Sequence, residues 1–415
     1  MITVEAALEQ ILQRVKPLGL ERVNMLAALG RVLGEDVVAG RNIPPKDNSA
    51  MDGYAVRWQD TVGAAAEHEV VLEVIEDIPA GAIPQKSLLA GQAARIMTGA
   101  PLPKGADAVV KVEDTVKDGT KVRIKAAVPA GQDIRRAGED VREGEVVLQK
   151  GSIIRSATAG MLASLGRSVL SVHQRPLVAV LATGDELVDI DESPSPWKIV
   201  NSNSYSLAAL AMDCGAQIMQ MGIAKDNRPE LLDKFQAAMR ADIIVSSGGV
   251  SVGDYDLVKE IMQEIGSQMH FWKVAMRPGK PLAFGTLGHV PLFGLPGNPV
   301  SAMISFEQFV RPAILKMTGR RHIFRKTLSA VLQEDIVKRP RLTHFTRALV
   351  VAADAGGYAV STTGAQGSGI LRSMVKANGL IVLPADNAEI INAGTIVRVQ
   401  MLDDALGWTA QPDFL

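Results

Sequence analysis

A chain of 415 residues has room for two or three domains with separate cores, which excludes a single small module. With 44 basic against 45 acidic side chains, a formal charge of −1 and no block of like charges, it lacks the footprint of a nucleic-acid binder; 47% hydrophobic and 21% charged residues exclude a disordered chain. Cys214 is the only cysteine, so a disulfide framework within the chain and cysteine-rich zinc or iron–sulfur sites are excluded, and a reducing compartment fits.

The N-terminal stretch is acidic before it becomes apolar, and no apolar run reaches the roughly 18 residues of a membrane span, so a soluble cytoplasmic protein without a targeting segment is expected. Thr3 is placed to cap a helix in which Val4, Leu8, Ile11, Leu12 and Val15 recur at helical spacing until Pro17 and Gly19. A second short helical stretch is expected around Asn24 to Leu33, before Asp36-Val-Val-Ala and a turn-rich passage, Arg41-Asn-Ile-Pro-Pro-Lys-Asp-Asn-Ser, where a new domain begins. From Tyr54 to about Arg136, short strand-forming runs such as Glu69 to Ile75 and Lys121 to Lys125 alternate with Gly and Pro turns, which predicts a β-rich insertion. Gly144 to Ile154 has further strand character, and Ala157 to Leu165 predicts a short helix closed by Gly166.

The pattern changes after Gln174. Leu177 to Ala182, Gln217 to Ala224 and Asp242 to Ser246 read as strands, alternating with helices at Asn203 to Met212 and Glu230 to Met239, the latter with Pro229 in its first turn. Such alternation predicts a parallel sheet with helices on both faces. A long helix from Val300 to Met317, entered through Asn298 and Pro299, closes the block. Beyond Arg320, closely spaced strand patterns between Leu328 and Met401 predict a small barrel or sandwich, with a loose tail from Asp403. The fold class is therefore multidomain α/β plus β.

Open α/β sheets bind ligands at the carboxyl ends of their strands, so chemistry is sought in the loops there. Ser246-Ser-Gly-Gly-Val-Ser-Val-Gly-Asp-Tyr-Asp follows a buried strand, and its glycines let backbone N–H groups approach an anion; a plain tight turn accounts for the same residues. It is not a Walker A loop, which needs Gly-Lys followed by Ser or Thr. Leu295-Pro-Gly-Asn-Pro, with Pro296 and Pro299, sets a second helix start at a strand end. Helix capping alone explains it singly, but two such termini on one sheet edge would aim partial positive charge into one crevice. Asp185, Glu186, Asp226, Asp254 and Asp256 stand beside these turns. Carboxylates beside a phosphate cradle repel the anion unless a divalent cation lies between, which points to Mg²⁺, with solvated loop acids as the alternative. Lys273, Arg277 and Lys280 add cations on a turn stiffened by Pro278. The histidines show no metal-ligand spacing, and no nucleophilic elbow or triad is present. These residues indicate a Mg²⁺-dependent enzyme acting on a phosphorylated or oxyanion substrate.

Seven motifs in order then resemble the MoeA-type molybdopterin molybdenumtransferase family, which includes the E domain of gephyrin. They are Pro44-Pro-Lys-Asp-Asn-Ser-Ala-Met-Asp-Gly-Tyr-Ala, Met97-Thr-Gly-Ala-Pro-Leu-Pro, Ala182-Thr-Gly-Asp-Glu-Leu, Asn201-Ser-Asn-Ser, Ser247-Gly-Gly-Val-Ser-Val-Gly-Asp-Tyr-Asp, Met276-Arg-Pro-Gly-Lys-Pro and Gly294-Leu-Pro-Gly-Asn-Pro. The resemblance implies the last step of molybdenum cofactor synthesis. Adenylylated molybdopterin and molybdate are the substrates, AMP is released with the help of Mg²⁺, and molybdenum is placed on the dithiolene sulfurs. It also implies an elongated cytoplasmic homodimer, with a molybdopterin adenylyltransferase and molybdoenzyme maturation proteins as partners, and neither nucleic acid nor membrane. Four domains are expected: N-terminal helices and a linking domain (1–45 with 140–172), the β-rich insertion (46–139), a three-layer α/β domain of the molybdenum cofactor-binding type (173–324) and a C-terminal small β-barrel (325–405).

Carried over by motif, Glu186, Asp226 and Asp256 would line the metal and phosphate region, with Asp52, Thr98 and Asp140 contributed across the dimer. Ser247, Gly248, Gly249 and Ser251 would hold the nucleotide phosphates, beside the cofactor-binding turn of Pro296 and Pro299. Lys273, Arg277 and Lys280 would meet phosphate or molybdate, Arg277 standing where many relatives have lysine, and Arg347 with Ser368 resembles the family's second anion-binding pair. Two other readings are a single-domain molybdopterin adenylyltransferase, similar to residues 175–318, and a non-catalytic scaffold. The extra β domains argue against the first, and the intact carboxylate set against the second.

Overall fold

In the computed structural model, which describes residues 1–248, 257–353, 356–386 and 388–407, the chain divides into two units. One comprises Asn24–Leu29 and Glu35–Leu170, the other Met1–Val23, Gly30–Gly34 and Ser171–Leu415.

The smaller unit is built on a six-stranded sheet in the order Ala108–Lys111, Gly53–Val56, Gln92–Ile96, Val70–Ile78, Lys121–Ile124, Thr115–Asp118. Alternate residues of Gly53–Val56 serve two cores: Tyr54 and Val56 pack with Leu72, Val110 and Val122, whereas Ala55 packs with Ile78, Ile96 and Val109. A Cβ on Gly53 would lie 2.0 Å from the Val110 carbonyl oxygen, so only glycine admits this strand pairing. The expected helix between Asn24 and Leu33 is not formed. Leu20–Asn24 is a strand and only Met25–Ala28 coils, as a 3₁₀ turn; Gly30, at φ +77°, cannot extend it.

In the larger unit Thr3 caps the first helix, Val4–Arg14, by accepting a hydrogen bond from the Ala6 N–H. The α/β sheet has the order Gln217–Ala224, Leu177–Thr183, Ile243–Ser247, Val290–Leu295, Pro281–Leu287, Ser267–Lys273. Its first four strands are parallel. The fifth, Pro281–Leu287, alone runs against the others, antiparallel to both its neighbours, a departure from the expected parallel sheet: Gly288 and His289 alone join Leu287 to Val290, and a two-residue turn can only link antiparallel neighbours. Helices cover both faces. Val178 and Val180 meet Leu207, Ala211, Val300 and Ile304 on one side, while Ala179 and Leu181 meet Leu231, Phe235 and Ile261 on the other.

The expected single helix from Val300 to Met317 is interrupted: Pro299–Ser305 and Arg311–Met317 flank a π turn, Phe306–Val310. Pro312 has no N–H to offer in α register, and the Arg311 N–H reaches back five residues to the Phe306 carbonyl. The turn buries Glu307, which accepts two hydrogen bonds from Arg325 at 2.8 and 3.1 Å.

The C-terminal strands close into a five-strand barrel, Thr343–Ala352, Tyr358–Thr362, Thr327–Leu332, Ile396–Met401 and Gly379–Leu383, the last pairing back with the first. Met276–Arg277 adds to its edge, with Arg277 opposite His344. No described helix is long and apolar enough to cross a membrane. Of the expected tail beyond Asp403, residues 408–415 lie outside the described residues.

Candidate functional site

The parallel strands Leu177–Thr183, Ile243–Ser247 and Val290–Leu295 end level with one another: Ser247 pairs with both Ala182 and Leu295. Beyond their carboxyl ends lies a cleft of about 520 Å³, lined by Thr183, Glu186, Asn201, Asn203, Ser247, Gly248, Gly297 and Pro299, with Gly369 from the barrel. Gly248 shapes its floor. At φ +92° it donates its N–H to the Leu295 carbonyl, and a Cβ there would stand 2.4 Å from the Thr183 carbonyl oxygen. Asn203, the first residue of the helix Asn203–Asp213, donates from Nδ2 to Ser247 Oγ at 2.7 Å and to the Gly297 carbonyl at 2.8 Å, which ties the two glycine turns together.

Glu186 lines this cleft, and Asp226 neighbours it through Asp185, whose carboxylate accepts the Asp226 N–H at 3.1 Å. Burial, then the charges of Asp185 and Glu186, push the Asp226 carboxyl up from its ordinary value. Among the described residues no group of three or more metal-ligating side chains is gathered. Of the expected ligands, Asp256 lies outside the described residues, as do Gly249, Ser251 and Asp254.

A second cleft, of about 240 Å³, opens where the Arg277 edge meets the barrel, and it includes Arg277, His344, Arg347 and Gln366. Arg347 is 1% exposed, donates from Nε to Ser373 Oγ at 3.0 Å and from Nη2 to the Gly367 carbonyl at 3.0 Å, and has no acid partner among the described residues. Burial, then the Arg277 guanidinium, push it down to about 10, so it stays charged at neutral pH. The acids on the rim are otherwise engaged: Glu334 accepts the Thr362 N–H and Asp335 the Ala393 N–H. The cleft thus sets a buried guanidinium, Arg347, beside the exposed one of Arg277, and among the described residues neither makes an ion pair. Ser368 lies on the segment that runs from Gln366 in this cleft to Gly369 in the first, its carbonyl accepting from the Val300 N–H.

Of the three expected cations, Arg277 alone lines a cleft; Lys273 and Lys280 are exposed on either side of its turn and line neither. In the smaller unit Asp52 accepts from both the backbone N–H and the hydroxyl of Thr98, each at 2.7 Å, and these bonds hold its carboxyl below the usual range. The structure thus joins two motifs far apart in sequence, while Asp140 is exposed, with its N–H on the Ile43 carbonyl. Thr183 and Asn203, which the motifs include without a role, line the first cleft, and His344, one of the histidines without metal-ligand spacing, lines the second. The position of Asn203 at a helix start beside a strand end is the signal that could have singled it out.

His344 accepts the Arg339 N–H on Nε2, and burial, then Arg277, Lys338 and Arg339, push its imidazole down to about 4. Unfolded chains titrate histidine near 6.5, so between those values the unfolded state binds the extra proton. The stability involved is present above pH 6.5 and lost as pH falls toward 4. His344→Gln should flatten the fall in Tm across that window in thermal scans. An unaltered slope would place the acid sensitivity elsewhere.

Residues 2–166 match the family model described as MoeA N-terminal region (domain I and II), residues 179–316 that of a probable molybdopterin binding domain, and residues 329–402 that of the MoeA C-terminal region (domain IV). The chain is 36% identical over 399 residues to a molybdopterin molybdenumtransferase of Staphylococcus epidermidis, covering 96% of this chain and 95% of the relative. It is 41% identical over 385 residues to molybdopterin molybdenumtransferase 2 of Mycobacterium tuberculosis, covering 91% and 94%. A crystal structure of a molybdopterin biosynthesis MoeA protein from Pyrococcus horikoshii OT3 matches with a TM-score of 0.83 at 30% identity, covering 97% and 100%.

Proposed function

The chain belongs to the MoeA family, and on that premise we propose that it is a molybdopterin molybdenumtransferase, which takes adenylylated molybdopterin and molybdate and releases AMP as molybdenum is inserted. The observation that carries this reading is the pairing of a first cleft at the strand ends with a second in which the buried Arg347 guanidinium bonds only neutral groups, the two joined by the short segment from Gln366 to Gly369.

In this reading the adenylylated pterin lies in the first cleft. The Gly248 turn lets phosphate approach the backbone, and the Asn203 ties hold that turn against the Gly297 turn. Arg347 and Arg277 hold molybdate as a tetrahedral oxyanion, with Lys273, Lys280 and Ser368 as further contacts. Glu186, Asp226 and Asp256 would hold Mg²⁺, which when bound offsets the charge that builds on the leaving phosphate. The raised carboxyl of Asp226 supports this assignment, because a nearby cation would relieve the repulsion that raises it. We assign the exposed Asp52–Thr98 pair and Asp140 to the site of a second copy in a cytoplasmic homodimer, supplied by a molybdopterin adenylyltransferase and relieved of product by molybdoenzyme maturation proteins.

The test is AMP release from adenylylated molybdopterin and Mg²⁺, with and without molybdate, beside Asp226→Asn. Wild type should release AMP in a molybdate-dependent way, and the variant should lose roughly 100-fold in rate. Binding without release in both proteins would remove the transferase reading.

A further inference from the structure

We infer that Asn203 selects the substrate by accepting a hydrogen bond from an exocyclic amino group of its heterocycle. This rests on the reading of the first cleft as the adenylylated pterin site.

The orientation of this side chain is settled by its partners. The Gly297 carbonyl can only accept, so the Asn203 group 2.8 Å from it must be Nδ2, and the flipped amide is excluded. Both Nδ2 hydrogens are then used, one on Gly297 and one on Ser247 Oγ. Oδ1 is left with no hydrogen-bond partner among the described residues, although Asn203 is only 9% exposed. Thr183 repeats the pattern: it is 3% exposed, and its Oγ1 has no partner among the described residues. Both residues line the same cleft.

Buried polar atoms are rarely left unpaired unless something else pairs with them. Two unpaired oxygens in one cleft complement the two hydrogens of an amino group. The Asn203 oxygen is wrong for a phosphate or a molybdate, whose oxygens only accept and would be repelled by it, whereas the Thr183 hydroxyl can accept or donate. Adenylylated molybdopterin carries an exocyclic amino group at each end, on the pterin and on the adenine, so the chemistry is shared and the source is a matter for experiment. Asparagine suits both tasks at once. Aspartate would keep an acceptor but lose the donors to Ser247 and Gly297, and alanine would lose everything.

The test measures binding of molybdopterin, AMP and molybdate separately to the full chain, as wild type, Asn203→Ala and Asn203→Asp. Asn203→Ala should weaken one organic probe roughly 10-fold or more beyond the other, since loss of the ties to the phosphate turn weakens both, while molybdate, held in the second cleft, stays within about twofold. The greater loss for molybdopterin assigns the pterin amino group, and the greater loss for AMP the adenine. Asn203→Asp, which breaks the same ties but keeps an acceptor, should recover at least part of that loss. Equal weakness of the two variants, uniform weakening of all three probes, or no change would reduce Asn203 to a structural tie and overturn the inference. If neither variant folds, wild type decides: one amino-bearing probe should bind at least several-fold better than its counterpart lacking the group, AMP against the purine ribonucleotide without the 6-amino group, or pterin against lumazine. No discrimination in either pair overturns the inference. Failure of wild type to bind either molybdopterin or AMP would instead overturn the substrate reading itself, and this inference with it.

Discussion

Replacing Arg347 by methionine is expected to lower molybdate-dependent turnover roughly 100-fold at limiting molybdate, while leaving Tm unchanged or higher. The guanidinium is buried beside a second one, Arg277, and its described partners are neutral: Ser373 Oγ and the Ala365 and Gly367 carbonyls. Burying a charge without a counter-ion opposes folding, so an apolar side chain of similar length relieves a penalty as it removes these hydrogen bonds. Ser373 keeps its bond to the Ile370 carbonyl in either case. On the proposed function, that charge meets an anion. Arg347→Lys should recover part of the affinity, because a lysine supplies charge without the planar fork that fits an oxyanion. Initial rates across a molybdate titration, with thermal scans of the same preparations, decide the matter. Unchanged half-saturation, or a loss of rate that tracks a loss of Tm, would make Arg347 a structural residue.

Much of this arrangement was legible in the sequence because it is local. The apolar run from Leu177 to Ala182, with helices after it, announced a sheet covered on both faces, and Thr3 and Pro299 marked helix starts that the structure keeps. The same alternation pointed to the carboxyl ends of the strands, where the first cleft lies. What was not legible depends on pairings between distant residues or on single backbone turns. Arg277 and Arg347 meet because Arg277 pairs with His344 across the barrel edge, a register that no local pattern encodes. The reversal of Pro281–Leu287 rests on the one turn at Gly288 and His289, and the break in the helix before Met317 on Pro312. Asn203 becomes a tie only when Ser247 and Gly297, drawn from two different strand ends, are both in place.

Gly248→Ala should lower turnover roughly 100-fold, far more than its loss of stability explains. Two effects add at this position. The positive φ of +92° strains any residue with a Cβ, which costs on the order of 1 kcal/mol or somewhat more. The Cβ would also sit 2.4 Å from the Thr183 carbonyl oxygen and 3.0 Å from Thr183 Oγ1, and backbone cannot swing aside as a flexible side chain does. The turn must shift away from the first strand, and Gly297, whose own Cβ position is 3.8 Å from the Gly248 Cα, shifts with it or loses contact. Either movement misplaces whatever the two turns hold, and displacements near 1 Å are enough for losses of roughly 100-fold. Gly266→Ala isolates the first effect, since Gly266 has φ +76° and nothing within 4 Å of its Cβ position. The control should lose a comparable amount of stability and retain its turnover, as read by chemical denaturation and AMP release. Equal turnover in the two variants would mean that the close approach of Gly248 to Thr183 has no part in positioning the substrate.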